Sequence, residues 1–185
     1  MSQTILAVDP GRAGAACLMH CGRVAGAWSW RPYPKAKPRQ WYVTDVHGDE
    51  SVCYSLHEVG ESIAAWAFDL GFNEWTLAVE QLFAGRNWKT ALALGESAAL
   101  VYGPMTRDAC NALAIVRPHP GQWRPAVLGC AGNAPSETSE RLAMQLCRAR
   151  WPELASLLGN GHAVEATCQA WYVTTQQRRE AARGE

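Results

Sequence analysis

Asp9 closes the apolar run Ile5-Leu6-Ala7-Val8, and Glu80 closes a second run, Thr76 to Val79. His162 and Glu165 stand three residues apart at the start of the last predicted helix, so they share a face. A carboxylate at the end of a buried strand is costly unless something compensates it. A divalent cation is one compensator, and magnesium takes oxygen ligands in near-octahedral geometry. Two such ions a few ångströms apart activate a water and stabilise a leaving oxygen in an in-line phosphoryl displacement. Asp9, Glu80 and Glu165 can supply those ligands from three separate elements, with His162 ligating through an imidazole nitrogen or positioning the water. Each residue also has an ordinary reading. Asp9 before Pro10-Gly11 starts a turn, Glu80 is a solvated strand-end residue, and Glu165 is favoured in a first helical turn by the helix dipole. The order strand-Asp, strand-Glu, helical His and Glu is more specific than any one of them.

The elements that must place these residues are legible in outline. Thr4 to Val8 reads as a buried strand ended by Asp9-Pro10-Gly11. Ala15 to Met19 and Val24 to Trp30 read as two more strands, joined by a hairpin turn at Cys21-Gly22-Arg23. Residues 31–50, rich in proline and charge, are predicted as a long loop. Leu56, Val59, Ile63, Trp66, Ala67 and Leu70 recur at helical spacing, and Gly71 closes that helix. Thr76 to Val79 is a strand, 88–102 a helix rich in Ala and Leu, and Leu113 to Val116 a strand ended by Pro118. Ser136 or Ser139 is expected to cap a helix that runs to about Trp151. The last helix is expected over His162 to Thr174, with a frayed polar tail from about 176. Strands followed by alternating helices and strands predict an α/β fold, a mixed sheet with helices on its faces.

The chain has 185 residues and 48% hydrophobic content, which fits one folded domain over 1–185 rather than a disordered chain. The first apolar run is too short for a signal peptide or a membrane span, so a cytoplasmic protein is expected. Seven cysteines, an odd number without an export signal, are expected as reduced thiols. Cys17, His20 and Cys21 lack a second ligand pair at zinc spacing, and buried apolar cysteine is the better reading. Formal charge is zero, which argues mildly against a nucleic-acid binder. The distribution matters more. Arg31, Lys35, Lys37 and Arg39 carry no acid among them, and Arg178, Arg179 and Arg183 form a second group. Nine tryptophans, several beside these cations, make a stacking-plus-phosphate composition.

These motifs resemble the RuvC family of Holliday-junction resolvases. Ile5 to Gly11 resembles the family's opening strand and first catalytic Asp. Val79-Glu80-Gln81-Leu82-Phe83, then Asn87, then Ala91-Leu92-Ala93-Leu94-Gly95 and Ala98, resemble its central block. Gln122-Trp123-Arg124-Pro125-Ala126-Val127-Leu128-Gly129 resembles the segment before its penultimate helix, and Gly161-His162-Ala163-Val164-Glu165-Ala166 its closing motif. The resemblance implies an RNase H-like fold with a mixed five-stranded sheet and helices on both faces. It implies Asp9, Glu80, His162 and Glu165 as metal-site residues for two Mg2+ ions, with Mn2+ as a substitute. It implies Phe83 as the aromatic that stacks at an opened junction centre, and Arg124 as the cation near the scissile phosphate. Glu165 stands where Asp is usual, and the family's lysine after Gly129 has no counterpart in Cys130 to Ser139.

The activity so implied is crossover-junction endonuclease chemistry. A homodimer makes two symmetric nicks in four-way DNA, leaving 5′-phosphate and 3′-hydroxyl ends. Arg31, Lys35, Lys37 and Arg39, in the 31–50 insertion, are expected to contact DNA arms, with a solvated loop as the rival reading. The alternatives are a relaxed flap or fork endonuclease, a non-catalytic junction binder, and an actin-like nucleotide-binding protein. The last lacks a second glycine-rich phosphate loop.

Overall fold

The structure is a computed structural model and describes residues 3–33, 40–81, 88–106 and 111–184. Its frame is one mixed sheet of seven strands: β1 (Thr4–Asp9), β2 (Gly14–His20), β3 (Arg23–Pro32), β4 (Trp41–Asp45), β5 (Glu50–Cys53), β6 (Glu74–Val79) and β7 (Asn111–Val116). The spatial order is β5-β4-β3-β2-β1-β6-β7. The first five strands form an antiparallel meander, and β6 and β7 run parallel to β1. The five strands expected from sequence are therefore present as β3-β2-β1-β6-β7. The expected count is corrected by β4 and β5, which extend the β3 edge. The predicted loop over 31–50 is corrected with it: its start finishes β3, Trp41–Asp45 is a strand paired to β3, and Glu50 begins β5.

Burial explains the central strands. Ile5 to Val8 of β1 are all fully buried, because both faces of the sheet are covered. One face, with Leu6, Val8, Trp28, Trp75 and Leu77, packs under α1 (Leu56–Asp69) and the end of α2 (Trp88–Tyr102). The other, with Ile5, Ala7, Cys17 and Ala78, packs under α3 (Pro120–Leu128), α4 (Ser136–Arg150) and α5 (Gly161–Arg183). Ser55 caps α1 by accepting from the Glu58 N–H, and Glu58 in turn accepts from the Tyr54 N–H. Gly60 has no side chain where the Val101 carbonyl comes close, so α1 and α2 can approach. The hairpin at Cys21-Gly22 takes positive φ at both residues, 51° and 82°, as a tight turn between β2 and β3 requires.

Two further expectations are corrected. The N-cap of α4 is Pro135 and makes no side-chain hydrogen bond. Ser136 is already helical, and the Ser139 hydroxyl is engaged elsewhere. The chain after 176 is not a frayed tail. The helix α5 runs on to Arg183 and ends at Gly184 in the left-handed conformation. Gln177 donates to the Thr76 hydroxyl at 3.2 Å, which ties this end of the helix to β6. Among the described residues no helix is long and apolar enough to cross a membrane.

The cysteines and tryptophans have mostly structural places. Cys17, Cys53, Cys147 and Cys168 are buried free thiols, and burial pushes the Cys17 thiol up to about 12. His20 pairs with the Thr4 hydroxyl at 2.9 Å. Trp28, Trp30, Trp41, Trp75, Trp123 and Trp151 are all buried, so they are core side chains rather than open stacking platforms.

Candidate active site

Strands β1 and β6 lie side by side in parallel register, Val8 opposite Val79. Asp9 and Glu80 therefore emerge together at the same edge of the sheet, and the Glu80 N–H points to the Val8 carbonyl. Helix α5 crosses β1 and β2 and begins at this edge. The Asn160 side chain caps it by accepting from the Ala163 N–H at 3.2 Å, which places His162 in its first turn and Glu165 just beyond it, on the same face. Helix α3 brings Trp123 and Arg124 to the same place, with His119 as its cap. The loop from Asp9 to β2 is held from the far side. Trp30 donates its indole N–H to the Gly11 carbonyl at 3.1 Å, and Trp41 donates to the Arg12 carbonyl at 3.0 Å. Gly14 leaves the room that the Trp30 ring occupies.

In this arrangement each of the three carboxylates has one oxygen engaged. His162 Nδ1 lies 2.7 Å from Asp9 Oδ2, and because a carboxylate only accepts, that nitrogen donates. Trp123 Nε1 donates to Glu80 Oε1 at 3.0 Å. Glu165 Oε1 accepts from Ser139 Oγ at 2.8 Å and from Arg124 Nη2 at 3.3 Å. The second oxygens, Asp9 Oδ1, Glu80 Oε2 and Glu165 Oε2, take no hydrogen bond from the described residues. Arg124 lies over the Trp123 ring, and its Nε is buried without a partner among those residues.

The electrostatics follow from crowding acids out of water. Burial, then the neighbouring Asp9, pushes Glu80 from the ordinary carboxylate range up to about 7, against the Trp123 hydrogen bond that holds it down. Burial also raises Glu165, opposed by Ser139 and Arg124. The hydrogen bond to Asp9 raises His162, against desolvation. Such displaced values mark a site where an added positive charge is favoured.

Of the residues singled out from sequence, Asp9, Glu80, His162, Glu165 and Arg124 come together here. His162 arrives as a partner of Asp9, with its side chain 49% exposed. Arg31 stands apart in β3, exposed, 3.5 Å from Glu50 of β5. Lys35, Lys37, Arg39 and Phe83 lie outside the described residues. Trp123 and Ser139 were missed as site residues. The only sequence signal for Trp123 is its place beside Arg124, and Ser139 reads as a helix cap. Beside the Asp9 loop a groove of about 430 Å³ is lined by Arg12, Trp41, Tyr54, Ser55, Glu96 and Leu100.

The donor set suits a hard divalent cation, since it offers carboxylate oxygens from three buried or partly buried side chains. Among the described residues no three acidic, histidine or cysteine side chains are already gathered at metal-ligand spacing. The hydrogen bonds to His162, Trp123, Ser139 and Arg124 hold one oxygen of each carboxylate instead.

No family model matches the chain, and no curated protein matches it in sequence. Solved structures match it in fold. The structure of Thermus thermophilus RuvC is 14% identical, covers 95% of this chain and 96% of its own, and superposes with a TM-score of 0.51. The structure of T. thermophilus RuvC in complex with a Holliday junction substrate, also 14% identical, covers 96% of each chain with a TM-score of 0.54. The chain thus has a RuvC-like α/β fold.

Proposed function

We propose that this protein is a metal-dependent endonuclease acting on branched DNA, with the four-way junction as its substrate. The observation that carries the reading is the convergence of Asp9, Glu80 and Glu165 from β1, the end of β6 and α5, each with one oxygen engaged and one free. The RuvC-like fold supports it. The solved neighbour bound to a Holliday junction makes that substrate the first to test.

When bound, divalent cations would supply Lewis acidity and an activated water at the phosphodiester. Asp9, Glu80 and Glu165 would hold two Mg2+ ions, for which Mn2+ would substitute. His162 orients Asp9 through Nδ1, and its exposed ring face can position water or, once deprotonated, join the ligands. Arg124 carries a buried donor, Nε, that a phosphate oxygen can satisfy, and its charge opposes the negative charge that develops in the transition state. Arg12 and Tyr54 in the groove beside the Asp9 loop offer an exposed cation and an aromatic face to a flanking strand. Arg31, Lys35, Lys37 and Arg39 would add phosphate contacts, and Phe83 would stack at the junction centre. A homodimer would present two such sites to a two-fold substrate.

The test is cleavage of a labelled four-way junction, with linear duplex and flap controls, in Mg2+ and in Mn2+. Paired symmetric nicks in the junction are expected. Asp9→Asn should abolish cleavage while sparing binding, since Asn keeps the shape and loses the charge. Equal cutting of flaps would broaden the substrate to branched DNA in general. Tight binding without cutting in either metal would remove the nuclease reading.

A further inference from the structure

Ser139 lies in the first turn of α4 and is fully buried. With Ala143 and Cys147 it forms the buried stripe of that helix, at successive four-residue steps. Its hydroxyl oxygen is 2.8 Å from Glu165 Oε1 and 3.0 Å from the Ser136 carbonyl. One hydroxyl has one proton to give, and a carboxylate is the stronger acceptor of the two. Arg124 Nη2 approaches the same Glu165 oxygen at 3.3 Å, and the ion pair it forms is shielded, with side-chain exposures of 14% and 11%. Oε1 thus receives two donors from two different helices, and Oε2 receives none from the described residues.

We propose that Ser139 is a positioning residue that fixes Glu165 as a one-oxygen ligand, with Oε1 engaged and Oε2 turned toward the divalent cation. The inference rests on the metal-site reading above and goes beyond it by assigning a role to a residue outside the acidic set. The chemistry is that of an outer partner that orients an inner ligand. A glutamate side chain has three rotatable bonds and can offer one oxygen or both. With Oε1 engaged by Ser139 and Arg124, two-oxygen chelation would require breaking a buried, partly charged hydrogen bond. The length of Glu165 fits this role, because its carboxylate must cross from α5 to α4 and still face Asp9. The rival is that Ser139 merely satisfies the Ser136 carbonyl inside its own helix.

The two are separated by Mn2+ affinity of the full-length protein, followed by the loss of the free-ion electron paramagnetic resonance signal. Wild type, Ser139→Ala, Glu165→Gln and the double variant are compared. Ser139→Ala should weaken binding by about tenfold, the lower end of what loss of an outer partner costs. In the Glu165→Gln background the same change should add nothing, because Ser139 acts through that carboxylate. Ser139→Cys keeps the side chain's shape with a weak donor, and it should fall between wild type and alanine. Wild-type affinity in Ser139→Ala would overturn the proposal, as would an equal loss in both backgrounds, which is what a structural role predicts. If the wild type binds no Mn2+, or Asp9→Asn binds as well as wild type, the metal-site reading itself falls and takes this proposal with it.

Discussion

Carboxylates gathered at one end of a sheet repel one another and resist losing water, so the site is under electrostatic load before any ligand arrives. Glu80 shows this most, raised to about 7 by burial and then by Asp9. A raised value stabilises the fold below the unfolded value, and that contribution is lost as pH climbs through the folded one. For Glu80 the window runs from about 4.5 to about 7. Glu165 and His162 are also raised, so their contributions run in the same direction. Metal-free protein should therefore lose stability as pH rises across this window, with Glu80 alone contributing about 3 kcal/mol at most. Denaturant titrations at several pH values check this, and Glu80→Gln should flatten the slope. Mg2+ should restore more stability above the window than below it, because only ionised carboxylates bind it well. A slope of the opposite sign would mean the acids are not forced together. Trp123 supplies a second check at this scale, because its indole N–H holds Glu80 down. Trp123→Phe removes the donor and keeps an aromatic ring. The rising limb of the cleavage pH profile should then move to higher pH, a shift that general destabilisation does not produce.

Helix α5 is the element on which the site depends, since it carries His162 and Glu165 and spans the sheet to Gln177. Gln169 lies one turn below Glu165, fully buried, with both amide atoms unpartnered among the described residues. An unsatisfied buried amide costs about 1–3 kcal/mol. Gln169→Leu, similar in volume, should raise stability by about 1–2 kcal/mol in thermal or denaturant unfolding. A loss instead would show that a buried water completes the amide. The same helix shows what sequence pattern conveys and what it leaves hidden. Its apolar spacing is plain from Ala163 to Val173, where the buried face lies. Beyond Thr174 the residues are polar because that part of the helix turns toward solvent, not because the helix stops. Thr174 and Thr175 bond back to the carbonyls of Ala170 and Trp171. The strand β4 was hidden in a similar way. Trp41-Tyr42-Val43 alternates as a strand should, but it is flanked by a proline- and charge-rich segment and by the Asp45 turn. Asp45 closes that turn by accepting from the His47 and Asp49 N–H groups. Asp9 and Glu80 were legible because each closes an apolar strand, where an uncompensated carboxylate is costly, and Glu165 because it shares a helix face with His162. Ser139 and Trp123 were not, because their roles depend on which helix lies opposite, and no local pattern encodes that.

At the scale of the whole molecule, 17 basic and 17 acidic residues cancel, so no global field would draw the chain to DNA, and the proposed contacts would have to be local. The proposed paired cutting of a symmetric junction would call for two sites, and helix α2 offers a surface for pairing them. It packs inward through Ala98 and Val101, while Leu92 and Leu100 remain 54% and 49% exposed. Leu92, Gly95 and Ala99 follow one another along one side of this helix, and Gly95 has open space where a side chain would stand. A leucine flanked by small residues lets a second helix approach closely. The edge strand β7 is the competing surface, with Leu113 and Ile115 exposed at 68% and 48%. If the chain forms the proposed dimer through α2, Leu92→Glu with Ala99→Glu should convert it to a monomer in sedimentation equilibrium, and Leu113→Lys should leave it a dimer. The monomer should fold normally, since neither α2 change touches a buried side chain. On a four-way junction it should nick one strand at a time, where the dimer nicks two together. The reverse pattern, with the dimer lost only in Leu113→Lys, would place the two-fold axis at β7 and leave α2 as an exposed wall of the monomer.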